Sequence, residues 1–200
     1  MGPLWPIGGN MKKITTRQIV ITGLFLALEI IFQIIGNYLQ FGPVNINLSL
    51  ITIVLAAAIC GPLSGAVVGF FNGLMALLSP STLAIFMPIS PVGTVLACLL
   101  KTTAAGFVAG LVFNLLKNKN TFVGLLVSSI LVPVINTGIF TIFCLIFFRP
   151  FLESGISDQY PNIGSFLIFG VIGINFIFEI ITTVVLSTSV GLAIFSRKHA

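Results

Sequence analysis

The sequence predicts an all-α integral membrane protein, a single bundle of six transmembrane helices with both termini in the cytoplasm. Three observations lead to this prediction. Of the 200 residues, 57% are hydrophobic and only 6% are charged, whereas a soluble domain carries roughly a quarter charged residues. The apolar residues form long runs separated by turn-forming residues, and the basic residues fall mainly between the runs. We therefore expect one helical unit embedded in lipid.

The apolar runs divide into six segments that can cross the membrane as helices. A crossing needs about 20 residues at 1.5 Å rise each, and somewhat fewer suffice where neighbours bury the helix ends. Pairs such as Gly42-Pro43 and Gly61-Pro62 mark turns between the segments. The last segment exceeds one crossing, so we expect it to tilt or break. The predicted helices are 17–36, 46–60, 63–78, 92–116, 121–148 and 163–195, with loops at 79–91 and 149–162.

The basic residues near the predicted helix ends determine the orientation. Cytoplasmic loops carry an excess of Lys and Arg. With six spans, seven basic residues share the side of the two termini, and only Arg149 lies on the opposite side. One span more or fewer would scatter these residues over both sides, so the asymmetry supports cytoplasmic termini. The seven residues are Lys12, Lys13, Arg17, Lys117, Lys119, Arg197 and Lys198.

The ends of the chain and its cysteines suggest no further domain or disulfide framework. Residues 1–10 are rich in Gly and Pro and precede a second methionine with a basic start, so we interpret them as the remnant of an expression tag. Residues 11–200 are then the transmembrane domain. Cys60, Cys98 and Cys144 have no CxxC or metal-ligand spacing, which predicts small buried residues.

The sequence offers little support for catalysis. Its single histidine, His199, lies at the tail, and neither GxSxG nor GxxxxGK[ST] occurs. We therefore expect no enzyme activity, ATPase site, metal centre or cofactor in this chain. If it moves a solute uphill, the energy comes from a partner or an ion gradient. The net charge of +5 comes mainly from clusters outside the apolar runs, which fits membrane orientation better than nucleic-acid binding.

Three ionisable residues lie inside predicted helices, where a charge is costly unless it is paired or hydrated. Lys101 lies about ten residues, or ~15 Å, below the outer end of its helix. Glu29 is in the middle of the first helix, and Glu179 is about halfway along the last. Lys101 could form a structural ion pair with Glu29 or Glu179, or it could bind a ligand.

Three asparagines favour the ligand alternative. Asn72, Asn136 and Asn175 project from three different helices at similar estimated depth in the outer half of the membrane, and Asn175 shares a helix face with Glu179. Taken singly, each asparagine would be an interhelical hydrogen bond. Several polar groups at one level indicate a cavity instead. The predicted substrate-binding residues are Asn72, Lys101, Asn136, Asn175 and Glu179.

Stripes of small residues predict where helices approach each other closely. Gly65-x3-Gly69-x3-Gly73 lies on one face of the third helix, and internal packing is the favoured interpretation. Two shorter motifs, Gly23-x3-Ala27 and Gly106-x3-Gly110, could pack inside the bundle or present a flat face to another membrane subunit.

Three features together resemble a known family. They are a basic start followed by the Gly23-x3-Ala27 helix, the segment FGPVNINLSLITIVLAAAICGPLSGAVVGFFNGL at 41–74, and a proline-rich loop before the fourth helix. This pattern is similar to the substrate-binding S-components of bacterial energy-coupling factor (ECF) vitamin transporters. The resemblance implies a high-affinity subunit of the bacterial plasma membrane that captures a vitamin near the outer face. It also implies a transmembrane coupling protein and two cytoplasmic ATPases as partners, which supply the ATP hydrolysis.

The resemblance also implies roles for particular segments. Gly23 and Ala27 would contact the coupling protein, although glycine replaces the commoner first alanine. The loops between helices 1 and 2 and between helices 3 and 4 would cover the site. The segments FGPVNINLSLITIVLAAAICGP and VPVINTGIF resemble the group associated with pantothenate more than the riboflavin, thiamine or biotin subunits.

Pantothenate is a small anion rich in hydroxyl and amide groups. Lys101 would then face its carboxylate, while the three asparagines bind its polar groups. A neutral or cationic vitamin would make Glu179 the more important charge. The alternatives that remain are an S-component for another vitamin such as riboflavin or folate, a self-sufficient secondary transporter, an intramembrane enzyme and a non-transporting scaffold.

Overall fold

The computed structural model describes residues 15–38, 40–41, 44–45 and 47–196. The predictions for the tag remnant at 1–10, for the basic residues Lys12 and Lys13, and for 197–199 at the tail lie outside the described residues. Within them, the chain is helical except for turns and one pair of two-residue strands. Strand β1 (Gln40–Phe41) pairs antiparallel with β2 (Val44–Asn45) in the connection that follows the first helix.

The helices follow the predicted segments closely. They are α1 (Thr16–Tyr38), α2 (Leu50–Cys60), α3 (Pro62–Leu77), α4 (Pro91–Leu116), α5 (Thr121–Phe147), α6 (Arg149–Ser154), α7 (Ile163–Ser165) and α8 (Gly173–Ser196), with π-helical turns at Thr82–Phe86 and Phe166–Ile172.

Two predicted loops contain helical structure, and the last predicted helix is broken. The prediction of a loop throughout 149–162 was wrong at α6, where Leu152 is buried among neighbouring aromatic side chains. The long last segment is interrupted as expected, because the π-helical turn ends at Gly173, whose φ is +27°. Glycine has no Cβ and adopts this conformation readily.

Four helical segments are long and apolar enough to cross a membrane. They are Thr16–Gly36, Pro91–Leu116, Thr121–Phe147 and Ile163–Ser196. Helices α2 and α3 are shorter, at 11 and 16 residues. Large apolar side chains are exposed on the outer faces of the bundle, as with Val20 at 65% and Ile146 at 65%. Such surfaces suit lipid rather than water. The protein is therefore an all-helical membrane protein, and the number of six spans stays a prediction.

Helix α2 lies at the centre of the bundle. Almost all its residues are buried, and it contacts α1, α3, α4, α5 and α8. Gly61 separates it from α3 with φ +102°, a conformation that residues with a Cβ rarely adopt, and Pro62 then starts α3. The tight turn places α3 directly against the central helix.

The glycine stripes of α3 and α4 form the closest helix contact. A Cβ added at Gly65 would lie 2.5 Å from the carbonyl oxygen of Gly106, and at Gly69 or Gly73 it would collide with the backbone of α4. Gly110 packs in the same way against Pro62. The predicted internal packing of the α3 stripe is confirmed, and the α4 motif faces the inside of the bundle.

Candidate functional site

Lys101 lies on α4, facing an aromatic side chain of α5. Helix α4 starts at Pro91, and the hydroxyl of Ser90 accepts a hydrogen bond from the Gly93 amide. Three turns later, the Lys101 ammonium nitrogen lies 5.1 Å from the centre of the Phe140 ring. A cation over an aromatic face is attracted to the negative potential of the ring. This contact directs the half-buried lysine toward α5.

The Lys101 side chain lines a cavity of about 130 Å³ between α4, α5 and the segment before α4. Its wall is mainly apolar, with two hydroxyls and one ammonium group. Sites for small organic ligands share this composition, in which a few polar groups determine orientation, but they are usually larger. The lining residues are Thr82, Phe86, Thr94, Ala97, Cys98, Lys101, Phe140 and Phe148.

The π-helical turn between α3 and α4 supplies one wall of this cavity. Its last residue, Phe86, packs edge to face against Phe140 at 5.7 Å and Phe148 at 4.9 Å between ring centres. It also contacts Phe151 of α6 at 5.2 Å. These contacts pack the turn against α5 and α6, because aromatic pairs in this geometry attract beyond the area they bury.

Glu179 of α8 lies near Lys101. Its carboxylate lies close to the side chains of Asn47 and Thr137, and it interacts electrostatically with Lys101. The charged groups of Lys101 and Glu179 do not form an ion pair within 4.0 Å. Among the described residues, the ion pair at that distance is formed by Arg149 and Glu153 on the surface. Of the two acids that the sequence offered as partners for Lys101, the structure therefore brings Glu179 near it.

The predicted asparagines of α5 and α8 each lie one helical turn before another residue of the site. Asn136 is 6% exposed, its side-chain oxygen has no hydrogen-bond partner among the described residues, and it lies one turn before Phe140. A buried amide oxygen without a partner is costly, and a ligand or a water molecule would satisfy it. Asn175 is half-buried, one turn before Glu179 on α8.

Asn72 and Glu29 belong to a buried hydrogen-bond network between α1, α2 and α3. The Asn72 amide nitrogen donates to Glu29 Oε1 at 2.6 Å and to Ser49 Oγ at 2.5 Å. Thr52 donates to the other oxygen of Glu29. The Ser49 hydroxyl donates to Asn47 Oδ1 at 2.5 Å. Asn72 is thus linked through Ser49 to Asn47, which lies near Glu179, and Asn72 does not line the cavity.

The structure adds residues that sequence reasoning missed. Phe140 and Phe86 are two of 19 phenylalanines, and no pattern in the sequence distinguishes them. Asn47 lies in the predicted helix 46–60, but the sequence analysis did not select it as a site residue. Thr137 could have been found from the sequence, because it follows Asn136, which was already a predicted site residue. Among the described residues, no group of three or more His, Cys, Asp or Glu is close enough to hold a metal ion.

Gly23 and Ala27 lie on an open face of α1. Both are exposed, and a Cβ added at Gly23 would meet nothing within 4 Å. This differs from the glycines of α3 and α4, which touch neighbouring backbones. The Gly106-x3-Gly110 motif of α4 therefore packs inside the bundle, whereas the Gly23-x3-Ala27 motif of α1 lies on its outer face.

Comparisons with known proteins give two matches. A family model described as "ECF transporter, substrate-specific component" matches residues 17–191. The pantothenate transporter PanT of Leuconostoc mesenteroides is 28% identical to this chain, and the match covers 90% of this chain and 93% of that protein. No solved structure matches the chain.

Proposed function

The chain belongs to the family of substrate-specific components of ECF transporters, and we propose that its substrate is pantothenate. The observation that carries this proposal is Lys101, a half-buried cation on an apolar helix that faces a small cavity. The similarity to a pantothenate transporter supports the choice of vitamin. A carboxylate is the natural partner of a lysine in such surroundings, because Coulomb attraction strengthens as the dielectric constant falls.

Each polar residue near the cavity has a proposed role. Lys101 binds the carboxylate of pantothenate, and Thr94 lines the same wall. Asn136 and Asn175 bind its hydroxyl and amide groups, and Asn136 brings an amide oxygen that needs a donor. Glu179 provides the counter-charge of Lys101 while the site is free of ligand. Asn72 contributes through the hydrogen bonds that lead by way of Ser49 to Asn47, near Glu179.

Ligand binding requires the cavity to enlarge. Sites for drug-sized ligands span roughly 300–1,000 Å³, whereas the cavity here measures about 130 Å³. Phe86 is the wall residue best suited to move, because it belongs to a five-residue π-helical turn rather than to a long helix. We infer that this turn shifts outward as the ligand enters.

We further propose a six-span arrangement in the bacterial plasma membrane, with both termini cytoplasmic. The four long apolar segments support it, as does the packing of the shorter α2 and α3 inside the bundle. A membrane coupling protein then binds α1 at the exposed face of Gly23 and Ala27, and two cytoplasmic ATPases supply energy. Membership of the ECF family supports this arrangement.

Pantothenate binding by the purified protein in detergent tests the proposal directly. Isothermal titration should give saturable binding that Lys101→Met weakens by more than about a hundredfold, as expected for loss of the partner of a buried carboxylate. Lys119→Met is the matched control, because Lys119 is an exposed lysine in the turn after α4. The control should bind like the wild type.

Other outcomes would reject parts of the proposal. A folded wild-type protein that ignores pantothenate but binds riboflavin or folate would change the vitamin. Equal binding by Lys101→Met and the wild type would remove Lys101 from the site. Uptake of pantothenate into liposomes that contain this chain alone would favour a self-sufficient transporter over an ATP-driven complex.

A further inference from the structure

We propose that Thr183 of α8 binds an alcohol group of the ligand together with Asn136 of α5, at the end of the site opposite to Lys101. The proposal rests on the proposed function, because it extends the same site along α5. Three features support it. They are the unpartnered hydroxyl of Thr183, its position opposite Asn136, and its distance from the level of Lys101.

Thr183 carries a fully buried hydroxyl that makes no hydrogen bond. The residue is 0% exposed, and its Oγ1 has no partner among the described residues. The neighbouring Thr182 shows the usual arrangement in a helix, since its hydroxyl donates to the Phe178 carbonyl oxygen at 2.7 Å. A buried hydroxyl without a partner destabilises the folded protein. A ligand group that hydrogen-bonds to Thr183 removes this cost.

Helices α5 and α8 run antiparallel, side by side. Near the start of α5, a Cβ added at Gly191 of α8 would lie 2.8 Å from the Leu125 side chain. Near the end of α5, Phe147 packs in the same apolar cluster as Phe166, which precedes α8. The start of α5 therefore lies beside the end of α8, and the end of α5 lies beside the segment that leads into α8.

This arrangement places Asn136 and Thr183 opposite each other. Asn136 follows Leu125 by eleven residues, close to three full turns or ~16 Å, so both project from the side of α5 that faces α8. Thr183 precedes Gly191 by eight residues, or ~12 Å along α8. The levels of the two side chains therefore differ by only ~4 Å, less than one turn. Both side chains are buried inside the bundle.

The two groups are chemically suited to one alcohol. Asn136 Oδ1 is also without a partner in the described part of the chain, so the amide oxygen and the hydroxyl do not bond to each other. An amide oxygen only accepts, whereas a hydroxyl both donates and accepts. An alcohol between them can donate to Asn136 and accept from Thr183. A carboxylate or a carbonyl group has no hydrogen for Asn136.

The distance to Lys101 matches a ligand with a carboxylate at one end and an alcohol at the other. The Lys101 ammonium group lies against Phe140, whose level on α5 is ~10 Å from that of Thr183. In extended pantothenate, about 10 Å separates the carboxylate carbon from the terminal hydroxyl oxygen at ordinary bond lengths. The cavity beside Lys101 is lined from α4, α5 and their flanking segments. Its enlargement on binding therefore runs along α5 toward α8.

Thr183→Val tests the contact, because valine keeps the shape of the side chain and removes the hydroxyl. Isothermal titration in detergent should show pantothenate binding weakened by about tenfold, a factor typical of one lost hydrogen bond. Pantothenol, which has an alcohol in place of the carboxylate, should weaken by the same factor. The dideoxy analogue of pantothenate, with hydrogen in place of both hydroxyl groups, should bind Thr183→Val and the wild type equally. Thr183→Ser keeps the hydroxyl and should restore pantothenate binding.

Two neighbouring residues of α8 provide matched controls. Thr182→Val removes a hydroxyl that is bonded within its own helix. Ser187→Ala removes another buried hydroxyl without a partner among the described residues. Ser187 lies one turn beyond Thr183, ~16 Å from the level of Phe140, which exceeds the length of the ligand. Both controls should bind pantothenate like the wild type.

Thermal melting without ligand provides a readout that does not depend on the vitamin. Thr183→Val should melt at the wild-type temperature or above it, because the removed hydroxyl has no partner to lose. A lower melting temperature would overturn the proposal, since it would reveal a structural partner.

Three binding results would also overturn it. They are wild-type affinity of Thr183→Val for pantothenate, equal weakening of pantothenate and the dideoxy analogue, and an equal loss in Ser187→Ala. A wild-type protein that does not bind pantothenate would instead reject the proposed function, and the melting comparison would still decide whether the Thr183 hydroxyl is unbonded.

Discussion

Gly69 of α3 touches the backbone of α4 at Thr102, and a Cβ at this glycine would collide with the Thr102 carbonyl group. The contact lies in the middle of a stripe in which Gly65 and Gly73 meet α4 in the same way. Small residues let helices approach where lipid provides no hydrophobic drive for their association. The α3–α4 pair is therefore closely packed, and α4 carries Lys101.

Gly69→Ala should destabilise the protein. The added methyl group forces α3 and α4 apart, and overpacking of this kind costs about 1–3 kcal/mol. We expect a lower melting temperature in detergent, measured by the fluorescence of a thiol-reactive dye at the three buried cysteines. Gly138→Ala is the matched control on α5, because a Cβ there meets nothing within 4 Å. An unchanged melting temperature for Gly69→Ala would contradict the close approach.

Gly23→Leu should impair assembly with the coupling protein while ligand binding stays intact. The side chain projects from the open face of α1, so it alters no contact inside the bundle. Co-purification of the ATPase subunits, expressed together with the variant, measures the effect. Gly138→Leu places the same side chain on an open part of α5. Equal recovery of the complex with both variants would show that α1 does not carry the interface.

Glu179→Gln should strengthen pantothenate binding. The substitution removes a negative charge near Lys101, and a unit charge in a protein interior alters the affinity of an anion by about three- to tenfold or more. Titration calorimetry with pantothenate and with pantothenol separates this charge effect from a change of shape, because only the anion should bind more tightly. Glu153→Gln, an exposed acid on α6, is the control. Weaker binding of both ligands would indicate direct contact with Glu179 instead.

Phe140→Leu should weaken pantothenate binding by about three- to tenfold. The ring holds the Lys101 ammonium group in the cavity, and cation–π contacts contribute about 0.5–2 kcal/mol. Phe143→Leu is the control, since Phe143 stacks on Phe147 and does not line the cavity. A loss of affinity of the same size in both variants would mean that helix packing, rather than the position of the lysine, is responsible.

Sequence reasoning located the long helices well because their signals are local. Run length, turn residues and the Gly61-Pro62 pair predicted where the helices end. It missed α6 and the two π-helical turns, whose side chains are held by distant aromatic residues such as Phe86 on Phe151. Lys101 was found because a cation in an apolar helix is exceptional. Phe140, which lies beside Lys101 in the structure, was not found, because phenylalanine is common in apolar helices.

By itself, the sequence determined the membrane class, the main helices, the internal glycine stripe and the buried charges. It left open which acid faces Lys101, and it did not connect Asn72 to Glu29. Only the tertiary structure decided that Glu179 lies near the lysine and that Glu29 is held in a separate network. The physical reason is that these helices are apolar on nearly every side, so the hydrophobic pattern does not determine their rotation or register. Contacts between helices determine both.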